Sequence, residues 1–102
     1  MKPSYSRSSL APVVATKMSD STLALQFNDP LESMFYAGGI SYAVEDDVMR
    51  IVVDRCRIST GCTTMLPLHI VPGPARPASQ EIPLLAPRVV MVFKDGEDQI
   101  FP

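Results

Sequence analysis

Proline placement limits what this chain can fold into more than any other feature. Ten of the 102 residues are proline, and five of them (Pro72, Pro74, Pro77, Pro83 and Pro87) fall between residues 72 and 87. Proline has no backbone N–H and its ring clashes with the preceding helical turn, so no helix can run through that stretch and an extended, polyproline-like course remains. The other turn formers divide what is left into short runs. With 46% hydrophobic and 20% charged residues and no tryptophan, the chain is long enough for one domain and too short for two.

The runs read as strands. Thr22 to Phe27 places Leu23, Leu25 and Phe27 on one side, the period-two pattern of a half-buried strand, and Asn28-Asp29-Pro30 ends it. Leu31 to Ala37 is expected to form one or two helical turns behind the Asp29 cap and Pro30, stopped by Gly38-Gly39. Ile40 to Val44 alternates again, Glu45-Asp46-Asp47 reads as a turn, and Met49, Ile51 and Val53 share a face of the returning segment. A helical stripe through Val44, Val48, Ile51, Val52 and Cys56 competes with this hairpin, but the β-branched run Val48 to Val53 favours strands. Thr63 to Val71 is β-like, with Pro67 confining it to a sheet edge. Arg88 to Phe93 is a strongly apolar strand, and the Asp95-Gly96 turn signal returns the chain through Gln99-Ile100-Phe101. The sum is a single all-β domain, a small barrel or sandwich of five to seven short strands. Residues 1–21 are expected as an extended N-terminal arm, and residues 22–102 as the β domain with a proline-rich loop at 72–87.

Several function classes lose support. The net charge of -2 lacks the basic footprint that sequence-independent nucleic-acid binding needs. No apolar run approaches the ~18 residues of a membrane span. Lys2 and Arg7 are followed by no apolar stretch of a signal peptide, so export by that route is not expected. Cys56 and Cys62 match neither zinc-knuckle nor redox-pair spacing, and His69 is the sole histidine. Turn geometry would allow a disulfide closing Arg57 to Gly61, but in a reducing interior both thiols are expected to stay reduced and metal-free. His69 lies in an apolar run with no carboxylate or serine nearby in sequence to orient it as a base. The Glu45-Asp46-Asp47 run lacks the alternating oxygens and bend glycine of a cation loop, and Gly38-Gly39 lacks the rest of a dinucleotide fingerprint. Arg50, Arg55 and Arg57, interrupted by Asp54, read as a mixed-charge sheet face. No catalytic, cofactor-binding or metal-ligating residue is singled out, and an enzyme is not expected.

What remains is assembly. The proline-rich segment reads either as a passive crossover between sheets or as a docking arm, whose prolines hold it near its bound form and so reduce the entropy lost on binding. Tyr5, Arg7 and Leu10 in the arm and Pro74, Arg76 and Pro77 in the loop are the candidate partner-binding residues. Both segments are expected to be held by other subunits, so that deleting residues 2–16 leaves the fold nearly as stable.

The stretch Phe27-Asn28-Asp29-Pro30-Leu31-Glu32-Ser33-Met34-Phe35-Tyr36-Ala37-Gly38, followed by alternating strands, resembles the opening of the β-barrel in head-tail joining (neck) proteins of long-tailed phages, over about residues 23–54. The resemblance implies a small barrel that joins rings of neighbouring subunits and performs no catalysis. The expected function is thus that of a non-enzymatic virion component, a head-tail connector, neck or tail protein. Its partners would be protein subunits including copies of itself, and its place the virion or host cytoplasm. The alternative is a small bacterial regulatory or ligand-binding β domain, which would carry a concave pocket with converging polar groups.

Overall fold

A computed structural model describes residues 3–30, 32–68 and 77–102. Among these residues the order is α1 (Arg7–Leu10), β1 (Val14–Ser19), β2 (Thr22–Asn28), β3 (Phe35–Glu45), β4 (Val48–Arg57), β5 (Leu66–Pro67), β6 (Pro77–Pro83), β7 (Arg88–Phe93) and β8 (Gly96–Phe101). The strands form a three-stranded sheet, β1-β2-β6, and a five-stranded sheet, β5-β3-β4-β7-β8. The all-β expectation holds, as two sheets around one core rather than a closed barrel, and with eight strands where five to seven were expected.

The small sheet is organised by β2. Leu23, Leu25 and Phe27 are buried, as their alternation requires, and both neighbours run antiparallel to β2, with Leu25 opposite Ala15 on β1 and Gln80 on β6. Two segments carry more regular structure than the extended arm and loop expected of them. Within the expected arm, Arg7–Leu10 forms α1 and Val14–Ser19 forms β1. The proline-rich segment is not all loop, because Pro77–Pro83 pairs with β2 along its whole length. Its two prolines sit at the strand ends and β6 is an edge, the positions where a missing N–H is tolerated. Ala78 and Ile82 meanwhile point their apolar groups to the core.

In the large sheet, β3 and β4 form the expected hairpin, with Ile40 opposite Val53 and Tyr42 opposite Ile51. The φ angles of 53° at Asp46 and 62° at Asp47 are those of a type I′ turn, whose twist matches that of the strands. Continuous strand from Val48 to Arg57 replaces the competing helix. The Leu31 to Ala37 helical turn is absent among the described residues. Phe35, Tyr36 and Ala37 already pair with Arg57, Cys56 and Arg55, and the cross-strand ladder outcompetes the local cap signal. Gly38-Gly39 consequently lies inside β3, at a register shift between Ala37 and Gly39. A Cβ on Gly39 would come within 2.5 Å of the Leu66 carbonyl oxygen, so only glycine lets β5 cross β3 this closely. Of the expected strand from Thr63 to Val71, the described part through Leu68 forms Leu66–Pro67 as strand, and residues 69–71 lie outside the described residues.

Beyond β4, the chain adds β5 at one edge of this sheet, contributes β6 to the small sheet, and returns as β7, parallel to β4 with Ile51 beside Met91; β8 closes the sheet as the antiparallel return of β7. Ile40, Met49, Ile51, Val53, Val89, Met91 and Phe93 meet Leu23, Leu25, Phe27, Ala78 and Ile82 from the small sheet in one apolar core. Tyr5 and Leu10 belong to that core as well.

Candidate functional site

Of the six expected partner-binding residues, Tyr5 and Leu10 are 4% and 1% exposed and pack into the core of their own domain. Pro74 and Arg76 lie outside the described residues, as does His69, and Pro77 opens β6 opposite Asn28. Arg7 alone stands at the surface with its side chain described.

Arg7 clamps α1 onto the β7–β8 turn. Its backbone N–H donates to Asp95 Oδ1 at 2.8 Å, and its guanidinium grips Asp98 through Nε–Oδ2 at 2.7 Å and Nη2–Oδ1 at 3.1 Å. The guanidinium lies 5.5 Å from the centroid of the Phe93 ring, a cation–π distance. The hydrogen bonds it donates to Asp98, and that carboxylate's negative charge, raise the Arg7 pKa above its ordinary value. Gly96 is required beneath it: the φ of +149° suits glycine, and a Cβ would meet Arg7 Nη2 at 2.8 Å. Arg7, Val13, Phe93, Asp98 and Ile100 line an open groove of about 590 Å³. The opposite charges in it are spent on each other, so the groove offers a polar-edged apolar trough rather than a site with a free charge.

A second cluster lies under the start of β3. Arg55 holds Glu32 through both Nε and Nη2, the latter at 2.6 Å from Oε2, and its guanidinium sits 3.8 Å from the Phe35 ring centroid. That bonding raises the Arg55 pKa. Burial likewise pushes the nearby Asp29 carboxyl up. The Tyr5 hydroxyl is buried beside the Glu32 carboxylate but makes no hydrogen bond of good geometry among the described residues, and its hydrogen-bonding contact with Glu32 is the weakest of the causes acting on its phenol. Burial first, and the negative charge of Glu32 second, push its phenol well above its ordinary value. A buried group with a raised pKa stabilises the fold fully below its unfolded pKa, about 10 for tyrosine, and that stability is lost as pH rises beyond it. Tyr5→Phe should therefore be neutral or stabilising by up to about 1 kcal/mol at pH 7, since it removes an unpartnered polar group. Its advantage over wild type should widen at pH 11. Urea unfolding of both proteins at the two pH values checks this, and an equal loss in both would refute it.

The outer face of the large sheet carries a third constellation. Ser41 Oγ and Thr64 Oγ1 each donate to Asp54 Oδ2 at 2.6 Å, and Thr64 also donates to the Ile40 carbonyl at 3.3 Å. This pins the segment after Cys62 onto the β3–β4 hairpin. Among the described residues the partners of the Asp54 carboxylate are these two hydroxyls, and the group acts as a clamp between the hairpin and the segment around Thr64. Strand alternation puts Ser41 and Asp54 on this face, but nothing local in the sequence pointed to Thr64.

Beside it, Cys56 and Cys62 are joined as a disulfide with a Cα–Cα separation of 5.3 Å, correcting the expectation of two reduced thiols. That expectation rested on metal and redox spacing and on compartment. The deciding feature is the turn between the cysteines, closed by Gly61 N–H donating to the Arg57 carbonyl at 2.7 Å, which folds Cys62 back over Cys56. Loop-closure entropy for so short a ring is worth about 2 kcal/mol. Reduction should lower stability by that amount and expose two titratable thiols, whereas free thiols in the untreated, folded protein would contradict the bond. The arginines expected to share one sheet face are split: Arg55 and Arg57 lie near Phe35, while Arg50 reaches Glu97 at 3.6 Å.

The same corner bears the exposed apolar side chains Met34, Tyr36 and Ile58. Ile58 N–H donates to the Met34 carbonyl at 2.9 Å, and Tyr36 stands opposite Cys56, so the three line up along adjacent strand ends over the bridged turn. Sequence reading missed them because it treated Met34 and Tyr36 as part of a helical turn. Compared with protein-family models, with curated proteins and with solved structures, the chain matches none of them.

Proposed function

We propose that this chain is a non-enzymatic assembly domain that associates with copies of itself, the role of a virion structural component such as a head-tail connector, neck or tail protein. The observation that carries the reading is the Met34–Tyr36–Ile58 corner. A methionine, an aromatic ring and an isoleucine stand exposed together on a mount stiffened by the Cys56–Cys62 bridge and the Asp54 clamp. Rigid apolar groups with an adaptable thioether suit a protein contact, because little conformational entropy is lost when they are covered. The alternative, a ligand-binding regulatory domain, has the Arg7 groove in its favour, but the mutual neutralisation of Arg7 and Asp98 leaves that groove without convergent free polar groups.

Light scattering across a hundredfold range of concentration tests the reading. The wild type should show a mass above one chain, and Tyr36→Asp combined with Ile58→Asp should lower it without shifting the thermal midpoint. A wild type that stays monomeric throughout would overturn the proposal.

A further inference from the structure

The small sheet ends in an open strand. β1 hydrogen-bonds to β2 on one side only and forms the margin of its sheet. It is also bare on its faces: every residue of it except Ala15 is exposed, including Val14 at 47% and Met18 at 58%. Such an edge leaves backbone donors and acceptors in a row, ready to pair with another strand. Natural edges are commonly guarded by charge or by a bulge, and β1 has one of each, Lys17 and a register shift before Ser19.

We infer that β1 pairs antiparallel with β1 of a second copy about a two-fold axis at Thr16, joining two small sheets into one of six strands. The inference rests on the self-association proposed above and adds a second contact to the Met34–Tyr36–Ile58 corner. The sequence Val14-Ala15-Thr16-Lys17-Met18 is self-complementary about its centre in this register. Val14 meets the partner's Met18, Ala15 meets the partner's Lys17, and Thr16 meets the partner's Thr16. Both exposed apolar residues are thereby covered, and each lysine faces an alanine. An axis at Lys17 would set two like charges opposite each other, which destabilises a cross-strand pair. An axis at Ala15 would place Met18 against the partner's Pro12, which has no N–H to offer. Lys17 also has its charge occupied within its own chain, by Asp20 at 3.3 Å. A closed two-fold contact of this kind stops at two copies per edge, so the exposed margin does not lead to open-ended stacking.

Introducing a charge at the axis is the test, because Thr16 is exposed and its replacement leaves the core untouched. Thr16→Glu and Thr16→Lys, each alone, put like charges face to face and should raise the dissociation constant of the complex about fivefold. A one-to-one mixture of the two variants should restore the wild-type mass. Thr16→Cys should cross-link to a covalent dimer on mild oxidation, with both native cysteines already paired. If the wild type associates but the variants neither weaken, rescue one another nor cross-link, the β1 contact is refuted while self-association stands. If the wild type is monomeric, the proposed function itself fails.

Discussion

A chain lacking residues 1–13 should not fold. Tyr5 and Leu10 lie in the central core, and the segment that carries them is tied down by backbone contacts at both ends: Lys94 N–H donates to the Tyr5 carbonyl at 2.8 Å, and Asn28 Nδ2 to the Ser9 carbonyl at 2.9 Å. Removing one large buried side chain costs about 2–5 kcal/mol. Removing two of them, with the roof they form, therefore consumes most of the 5–15 kcal/mol that holds a typical domain together. Leu10→Ala alone should cost about 2–5 kcal/mol, seen as a lower urea midpoint with unchanged slope. A truncated protein with a native near-ultraviolet spectrum and an unchanged thermal midpoint would show that the segment is dispensable. The result expected is the reverse of what the arm reading of the sequence implied.

Phe27→Ala should be the most damaging single truncation in the small sheet, at about 3–5 kcal/mol. Phe27 is fully buried, and its cross-strand partner on β6 is Ala78, which is too small to fill the space left behind. β2 is the middle strand, with neighbours on both sides, so it cannot shift inward to close the cavity without dragging β1 and β6 with it. At roughly 4–8 °C per kcal/mol for a domain of this size, the thermal midpoint should fall by more than 10 °C. Val44→Ala, on an exposed position of β3, is the control and should stay within about 0.5 kcal/mol of wild type.

What could be read from the sequence was whatever one face of one strand carries. Leu23, Leu25 and Phe27, the 40–53 hairpin, and Arg88 to Phe93 with its Asp-Gly return each announce themselves by alternation or by turn chemistry, and each stands as read. β1 was silent because Thr16, Lys17 and Ser19 are exposed, and a strand held mainly by backbone pairing leaves no apolar periodicity. β6 was masked by its prolines, whose end positions are harmless but whose number suggested a loop. The Asp29-Pro30 cap signal misled because helix propensity is worth tenths of a kcal/mol per residue, less than a ladder running from Phe35 to Glu45. The disulfide and the Asp54 clamp depend on a fold-back after Arg57, which is geometry rather than pattern. Of the candidate contact residues only Arg7 lies at the surface with a described side chain, and its visible partners are the domain's own aspartates.

The meeting of Tyr5 and Arg7 with Lys94, Asp95 and Asp98 has a consequence in time. During synthesis, the segment that holds Tyr5 and Arg7 is made 88 or more residues ahead of the partners that hold it. The parallel pairing of β4 with β7 adds to the delay, because residues between Arg57 and Arg88 must complete their excursion before Ile51 can find Met91. Local hairpins can form early, but the apolar faces of β2 and β4 stay wet until the final hairpin arrives. Such a chain belongs with the slow, non-local folders that take milliseconds to seconds rather than microseconds. While it waits, its unfinished sheets are open to the wrong partner as well as the right one, and the cell's chaperones meet it in that state.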